Sequence, residues 1–511
     1  MMNNLLLAGA SALVLANQAL AQPASRPPVA EAPSPNDQPT VPPTSAPSFG
    51  SDGSGLDTLV PADNEATAPA PALAPTGNPV LDRLNALETR VRQLEARNAQ
   101  LEQQAELNQD RLQTVETRSA KQSQWGWAPS TSDTAGNFTF KPRGVIDADF
   151  AHFDERRGGY DYNDGTGFRR ARLGFEGTAF KWFNYRLEVD FAGNVVTLTD
   201  AYVQYSKIPK LLLTVGQHKA PFGLESNNSD NYNLFLERGM FTNAFGNAGA
   251  ERRIGVSAAW APRETINVAG GVFGDNESVG RSTATSVTNT PDESWGFNGR
   301  ATWEPLFDSG RIIHLGVASY YRRSLKSGDT ADAVRLTERP NIRIDNGNIA
   351  DSGVITGVRD LTYAGAEAAA VFGPFTAFGE AGRLWAKRPT LGDAHFTGAY
   401  AALSYLLTGE TRPFKSGNFD RVRPAHELGK DGLGAFEVAA RYDWLDLAGT
   451  PVGARAGNRA RSLTLGLNWY LNPYLKLMTN VIHFWGDNTP LDPVGNVTKG
   501  DVLATRLHLD F

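Results

Sequence analysis

Arginines recur on one alternating phase of this 511-residue chain: Arg170 and Arg172 in "FRRARLG", Arg186 in "YRLEVDF", Arg253 in "GAERRIG", then Arg300, Arg383, Arg441 and Arg506. A guanidinium is a fixed fork of donors that grips phosphate or carboxylate oxygens two at a time. A series of such forks along one wall can hand an anion from one weak site to the next. Carboxylates share the phase: Glu176, Glu188, Asp190, Glu437, Asp443 and Asp510. The same arginines can therefore pair across strands and stiffen the wall, and the pattern leaves both roles open. A second group of charges lies in the long segment 219–251, which carries Lys219, Glu225, Asp230, Glu237 and Arg238 and runs into Arg252 and Arg253. Folded inward it would make a constriction, and folded outward a surface loop. Its length does not choose between them.

Other chemistries find less support. His152, His218, His314, His395, His426, His483 and His508 are scattered, with no Ser or Asp at the offsets a nucleophilic site would need. There is no HExxH and no tight cluster of His and carboxylates, so neither an enzyme, a cofactor nor a metal is expected. The formal charge of −6 leaves no basic footprint for nucleic acid. Cysteine is absent, which rules out disulfides and thiolate-held metal.

The elements that must carry these charges are strands. In "YRLEVDF", Tyr185, Leu187, Val189 and Phe191 alternate with Arg186, Glu188 and Asp190, and in "FEVAARYDWL" Phe436, Val438, Ala440, Tyr442 and Trp444 oppose Glu437, Arg441 and Asp443. Successive strand residues face opposite ways, so each ribbon has an apolar and a charged face. The closing "VLATRLHLDF" does the same, with Leu503, Leu507, Leu509 and Phe511 set against Arg506, His508 and Asp510. A soluble sandwich and a membrane barrel both fit one such ribbon; connection lengths separate them. Tight links at 181–184, 207–210, 261–264, 373–374 and 471–474 alternate with longer ones at 151–167, 219–251, 274–293, 323–361, 446–460 and 486–501. Short turns at one end and long loops at the other are the outer-membrane arrangement, with 192–198 too short and 408–434 too long for the rule. The expected fold is all-β: a sixteen-stranded antiparallel transmembrane barrel over 138–511, with Trp182, Trp260, Trp303, Trp385, Trp444, Trp469 and Tyr470 in interfacial girdles.

Upstream, residues 1–21 read as a secretory signal peptide, an apolar run ending in small residues before Gln22. Residues 22–79 are a disordered linker rich in Pro and Ala, unable to bury enough surface to offset ordering. Over 80–118, Val80, Leu84, Leu87, Val91, Leu94 and Leu101 recur at spacings of four and three, the seam of a short coiled-coil helix and hence of an oligomer. Both barrel termini are expected on the periplasmic side.

The stretches "FRRARLGFEGTAF", "VGQHKAPFGLES", "GAERRIGVSAAW", "LSYLLTGETRPF", "FEVAARYDWLDL" and "SLTLGLNWYLNPYLKLM" resemble, in order, the phosphate-selective porin O and P family. The resemblance covers essentially all of 138–511. It implies a homotrimer of sixteen-stranded barrels in the outer membrane, whose third loop folds inward and whose basic side chains line a path for small anions such as phosphate or polyphosphate. It carries Arg170, Arg172, Arg252 and Arg253 over as pore-lining, beside Arg186, Lys219, Arg238 and Arg300 from strand and loop position. A terminal Phe511 suits the barrel-assembly machinery, and "TGETRPF" would open a long periplasmic turn. One departure bears on selectivity: the constriction segment has a single lysine, Lys219, and comparable numbers of acids and bases. A general or sugar-permeable pore, or a barrel that tethers the envelope, is the alternative.

Overall fold

The computed structural model describes residues 78–81, 83–99, 101, 123–124, 130–133 and 135–511, except 158–159, 276–292, 328–329, 450, 453–454, 457–458 and 488–496. The signal peptide, nearly all of the linker and residues 102–118 of the expected coil lie outside the described residues. Residues 79–81, 83–99 and 101 are helical, and Val80, Leu84, Leu87, Val91, Leu94 and Leu101 are all exposed along them.

Sixteen strands form the barrel wall: β1 (Thr139–Arg157), β2 (Gly165–Ala179), β3 (Phe183–Asp190), β4 (Thr197–Tyr205), β5 (Leu211–Lys219), β6 (Arg252–Arg263), β7 (Ile266–Phe273) and β8 (Trp295–Asp308), then β9 (Arg311–Arg323), β10 (Asp360–Phe372), β11 (Phe375–Lys387), β12 (Ala394–Leu406), β13 (Ala435–Asp446), β14 (Arg459–Tyr470), β15 (Leu475–Asp487) and β16 (Val497–Asp510). Each pairs antiparallel with its neighbours in sequence, and β16 pairs with β1. The sheet is thus closed, as spanning strands require where no solvent can satisfy an open edge. β1 extends to Arg157, past the expected end at 150.

Burial along the strands is the reverse of a soluble sandwich. In β14, Leu463, Leu465 and Leu467 are 43%, 53% and 47% exposed, while Ser462, Thr464 and Asn468 are fully buried. The apolar rows face outward and the polar rows face the lumen. β13 and β16 follow suit, with Glu437, Arg441, Asp443, Arg506, His508 and Asp510 buried inside. Two expectations fail. Arg383 points outward and lies 5.6 Å from the Trp385 ring, because Thr376, Phe378, Glu380 and Leu384 hold the inward phase of β11. Tyr470 points inward, where its hydroxyl donates to Glu437 at 2.6 Å, because Trp469 takes the outward place.

One small residue ends the closing seam. The amide of Phe511 donates to the Gly144 carbonyl at 3.1 Å, and the Gly144 amide donates back at 3.3 Å. A Cβ on Gly144 would sit 2.3 Å from the Phe511 ring. The terminal aromatic therefore lies over the one position of β1 that carries no side chain. Gly144→Val is expected to lower the yield of folded barrel, read as the fraction that keeps compact, heat-modifiable migration on gel electrophoresis; an unchanged yield would contradict this role for the seam.

Candidate functional site

Loop 220–251 folds into the barrel, held by lumenal side chains of half the wall. Asn298 of β8 donates to the Pro221 carbonyl at 3.3 Å, and Glu380 of β11 accepts the Glu225 amide at 2.7 Å. Arg441 of β13 grips the Glu225 carboxylate at 3.2 Å, the Glu237 carbonyl at 2.9 Å and its neighbour Asp443 at 2.8 Å. Asn468 of β14 donates to the Leu234 carbonyl at 2.9 Å, Lys476 of β15 to the Asn231 carbonyl at 2.9 Å, and Arg506 of β16 to the Glu237 carboxylate at 3.0 Å. Such unlike partners, brought in from many strands, fix the loop because each buried polar group would otherwise lie unsatisfied.

Within the loop, helix α1 (Met240–Gly249) places Met240, Phe241, Ala244 and Phe245 in an apolar cluster with Phe222. Tyr320, Tyr363 and Tyr400 of the wall meet this cluster; the Phe222 and Tyr363 rings lie 4.7 Å apart, and the Tyr320 hydroxyl donates to the Phe245 carbonyl at 2.8 Å. The aromatics thus fill the β9–β12 side of the lumen.

Two further segments enter. From the long-loop end, segment 324–359 brings Asn341 to Ser462 at 2.8 Å and Arg343 to Glu338 at 2.9 Å. Burial is the largest influence on Glu338 and pushes its carboxyl up to about 6, with Arg343 opposing it. From the short-turn end comes the segment 408–434, expected from the sequence as a long periplasmic turn. Arg412 pairs with Glu437 at 2.6 Å, and the Phe419 amide donates to Asn228 of the constriction loop at 2.9 Å. The link is long because it is a plug rather than a turn.

What stays open runs along β1–β6. A cavity of about 370 Å³ near the long loops is lined by Arg169, Arg170, Arg172, Asp230, Arg238, Asn243, Asn247, Glu251, Arg252, Arg339 and Arg343. A second, of about 280 Å³ towards the short turns, includes Arg143, Arg172, Arg186, Glu188, Asp200, Lys219, Asp230 and Arg252. Arg172, Asp230 and Arg252 belong to both and form the neck between them. The first cavity carries seven arginines against two carboxylates. Low-dielectric walls strengthen and focus the potential of the charges that line it.

Six of the eight residues singled out from sequence converge on these cavities. Arg170 donates to Asp147 at 2.6 Å, Arg172 to Asp190 at 2.8 Å, Arg186 to Glu176 at 2.6 Å and Arg252 to Asp200 at 2.8 Å. Lys219 donates to the carbonyls of Ser226 and Asn228 at 3.1 and 3.0 Å, and Arg238 to Glu251 at 3.1 Å. The other two stand apart. Arg253 donates to Asp275 at 2.9 Å and to the Ala248 carbonyl at 3.3 Å, tying the end of α1 to the wall. Arg300 holds Glu367 and, at 2.7 Å, the Gly417 carbonyl of the short-turn plug.

Sequence reasoning missed Arg143, Arg169, Arg339 and Arg343. Strict alternation sends Arg169 outward. A register slip opposite Asp147 and Ala148 leaves Arg169 as a bulge, and it turns inward to Glu237 at 2.7 Å. Two adjacent arginines in a strand were the available signal. Arg339 and Arg343 come from 324–359, whose inward path no local pattern reveals. Arg339 donates to the Arg343 carbonyl at 3.4 Å, and among the described residues no carboxylate pairs with it.

A closed sixteen-stranded barrel with apolar rows outside, charged rows inside and a charged path narrowed by an inward loop defines an outer-membrane channel protein of the porin class. The family model for the phosphate-selective porins O and P matches residues 140–511, and the chain belongs to that family. It is 32% identical over 397 residues to an uncharacterized protein of Caulobacter vibrioides, covering 75% of this chain and 76% of that one. It is also 29% identical over 420 residues to Porin O of Pseudomonas aeruginosa, covering 74% of this chain and 90% of the relative. Among solved structures it is similar to an anion-selective porin from Comamonas acidovorans, with 16% identity, a TM-score of 0.47, and 73% and 100% of the two chains covered.

Arg441 is one of the anchors of the inward loop, and its loss leaves Glu225 and Asp443 buried without this cation. Arg441→Ala is expected to destabilise the barrel by roughly 3–5 kcal/mol in urea unfolding, the cost of breaking a buried ion pair, and to enlarge the single-channel conductance as the loop loosens. Unchanged stability and conductance together would contradict the anchoring role.

Proposed function

We propose that the protein is a passive diffusion channel for small anions, phosphate and polyphosphate among them. The observation that carries this reading is the neck shared by the two cavities, where Arg172 and Arg252 face the path beside Asp230, below a cavity with seven arginines. An anion entering from the long-loop end meets guanidinium groups already held in place by wall carboxylates, so little ordering is required of them. Partial neutralisation by those carboxylates keeps each site weak, and a conducting pore needs binding loose enough for release. Membership of the family supports phosphate as one such anion.

A second reading has an observation of its own. Glu188, Asp200 and Asp230 line the lower cavity beside its five arginines and lysines, which suits a broader solute pore with a mild anion preference. The functional unit in this proposal is a homotrimer in the outer membrane, with segment 80–118 proposed as a periplasmic coiled coil. Its exposed Leu84, Leu87, Val91 and Leu94 support that assembly, since such a stripe is normally covered by further copies of the helix. Phe511 is the proposed contact for the assembly machinery.

In planar bilayers under asymmetric KCl, the zero-current potential is expected to report anion preference. The double substitution Arg172→Ala and Arg252→Ala is expected to shift it towards the cation side. A cation-selective wild type, or a double variant with unaltered selectivity, would overturn the anion-channel reading.

A further inference from the structure

The neck is already occupied by an anion, the chain's own Asp230. One of its carboxylate oxygens, Oδ2, accepts from Arg172 at 3.0 Å and lies 3.5 Å from Arg170; the other, Oδ1, accepts from Lys219 at 3.3 Å and from Arg238. Four cations converge on this single carboxylate, whose side chain is only 5% exposed and yet borders both cavities. A structural ion pair needs one guanidinium. Three of the four cations, moreover, have other partners that hold them in place: Asp147 for Arg170, Asp190 for Arg172, and the carbonyls of Ser226 and Asn228 for Lys219. The fourth, Arg238, also donates to the Glu225 carbonyl at 3.0 Å and pairs with Glu251 at 3.1 Å. The cation cluster is therefore organised without Asp230, and the carboxylate fills it from the constriction loop.

Two oxygens, each flanked by its own pair of cations, is also how a phosphate would present two of its oxygens to the same groups. We propose that Asp230 is a tethered occupant of the anion site and sets the specificity of the pore: it keeps the constriction a weak, rapidly exchanging anion filter and denies phosphate a capture site. The inference deepens the anion-channel reading and rests on it. A tethered carboxylate competes at high effective concentration, so a free anion meets the arginines one or two at a time along the flank of Asp230 rather than all four together.

The test is the block of chloride current by inorganic phosphate in planar bilayers, comparing wild type with Asp230→Asn and Asp230→Ser. Asp308→Asn, at an exposed turn beside Arg311, controls for the change in net charge. The phosphate concentration that halves the current is expected to fall by about tenfold or more in both Asp230 variants, the size of effect of freeing charge-assisted donors for a ligand, and to stay put in Asp308→Asn. Serine covers the case in which asparagine disturbs folding, since it removes the charge without keeping the shape. An unmoved half-blocking concentration in a conducting, anion-selective variant overturns this inference alone. So does wild-type block as tight as the variants' block. Cation selectivity in the wild type overturns the anion-channel reading and this inference with it.

Discussion

A backbone amide in hydrocarbon has no partner but another strand, and that constraint governs the rest of this molecule. It compels β16 to return to β1, and so dictates a closed sheet. Closure then fixes the two faces: with apolar rows turned out, every charge in the alternation must point into the enclosed space. The lumen is polar because the ribbon has only two sides and one of them faces outward.

An enclosed wall carrying so many ionised groups has its own energetic demand. Removing a charge from water costs several kcal/mol unless partners replace the lost hydration, and the lumen meets this by pairing nearly every arginine with a carboxylate or a backbone carbonyl. Arg441, Arg506, Lys476 and Arg322 spend their donors on the inserted loop, with Arg322 holding the Gly249 carbonyl at 2.7 Å. The polar wall therefore does two things at once. On the β8–β16 side it is a scaffold that holds plugs in place, and on the β1–β6 side it is the lining of the path. The same residue type serves both ends, and position around the barrel decides which.

That division explains what could be read from sequence. The alternation of Leu463, Leu465 and Leu467 with Ser462, Thr464 and Asn468 is local, so strands and most inward residues were legible in it, while the barrel was legible in the connection lengths. Arg253 and Arg300 make their contacts with Ala248 and Gly417, parts of inserted segments whose route is set by pairs more than a hundred residues apart in several cases, such as Asn468 with Leu234 and Arg300 with Asn418. No spacing rule encodes such a route. Arg169 was lost for a smaller reason, since one bulged residue reverses the parity on which the reading depends. Arg383 was lost by a phase error in a strand of small residues, where Ala377, Gly379 and Ala381 give the alternation little contrast.

The central claim is that Arg172 of β2 and Arg252 at the start of β6 face a continuous water column, while Leu173 and Ile254 on the same strands face away from it. Because the chain has no cysteine, single cysteines report position without background. The direct measurement is the reaction of cysteines placed at Arg172, Leu173, Arg252 and Ile254 with a membrane-impermeant anionic thiosulfonate during bilayer recording. The account predicts rapid modification with altered current at 172 and 252, and none at 173 and 254. Modification at 173 and 254, with 172 and 252 silent, would contradict it.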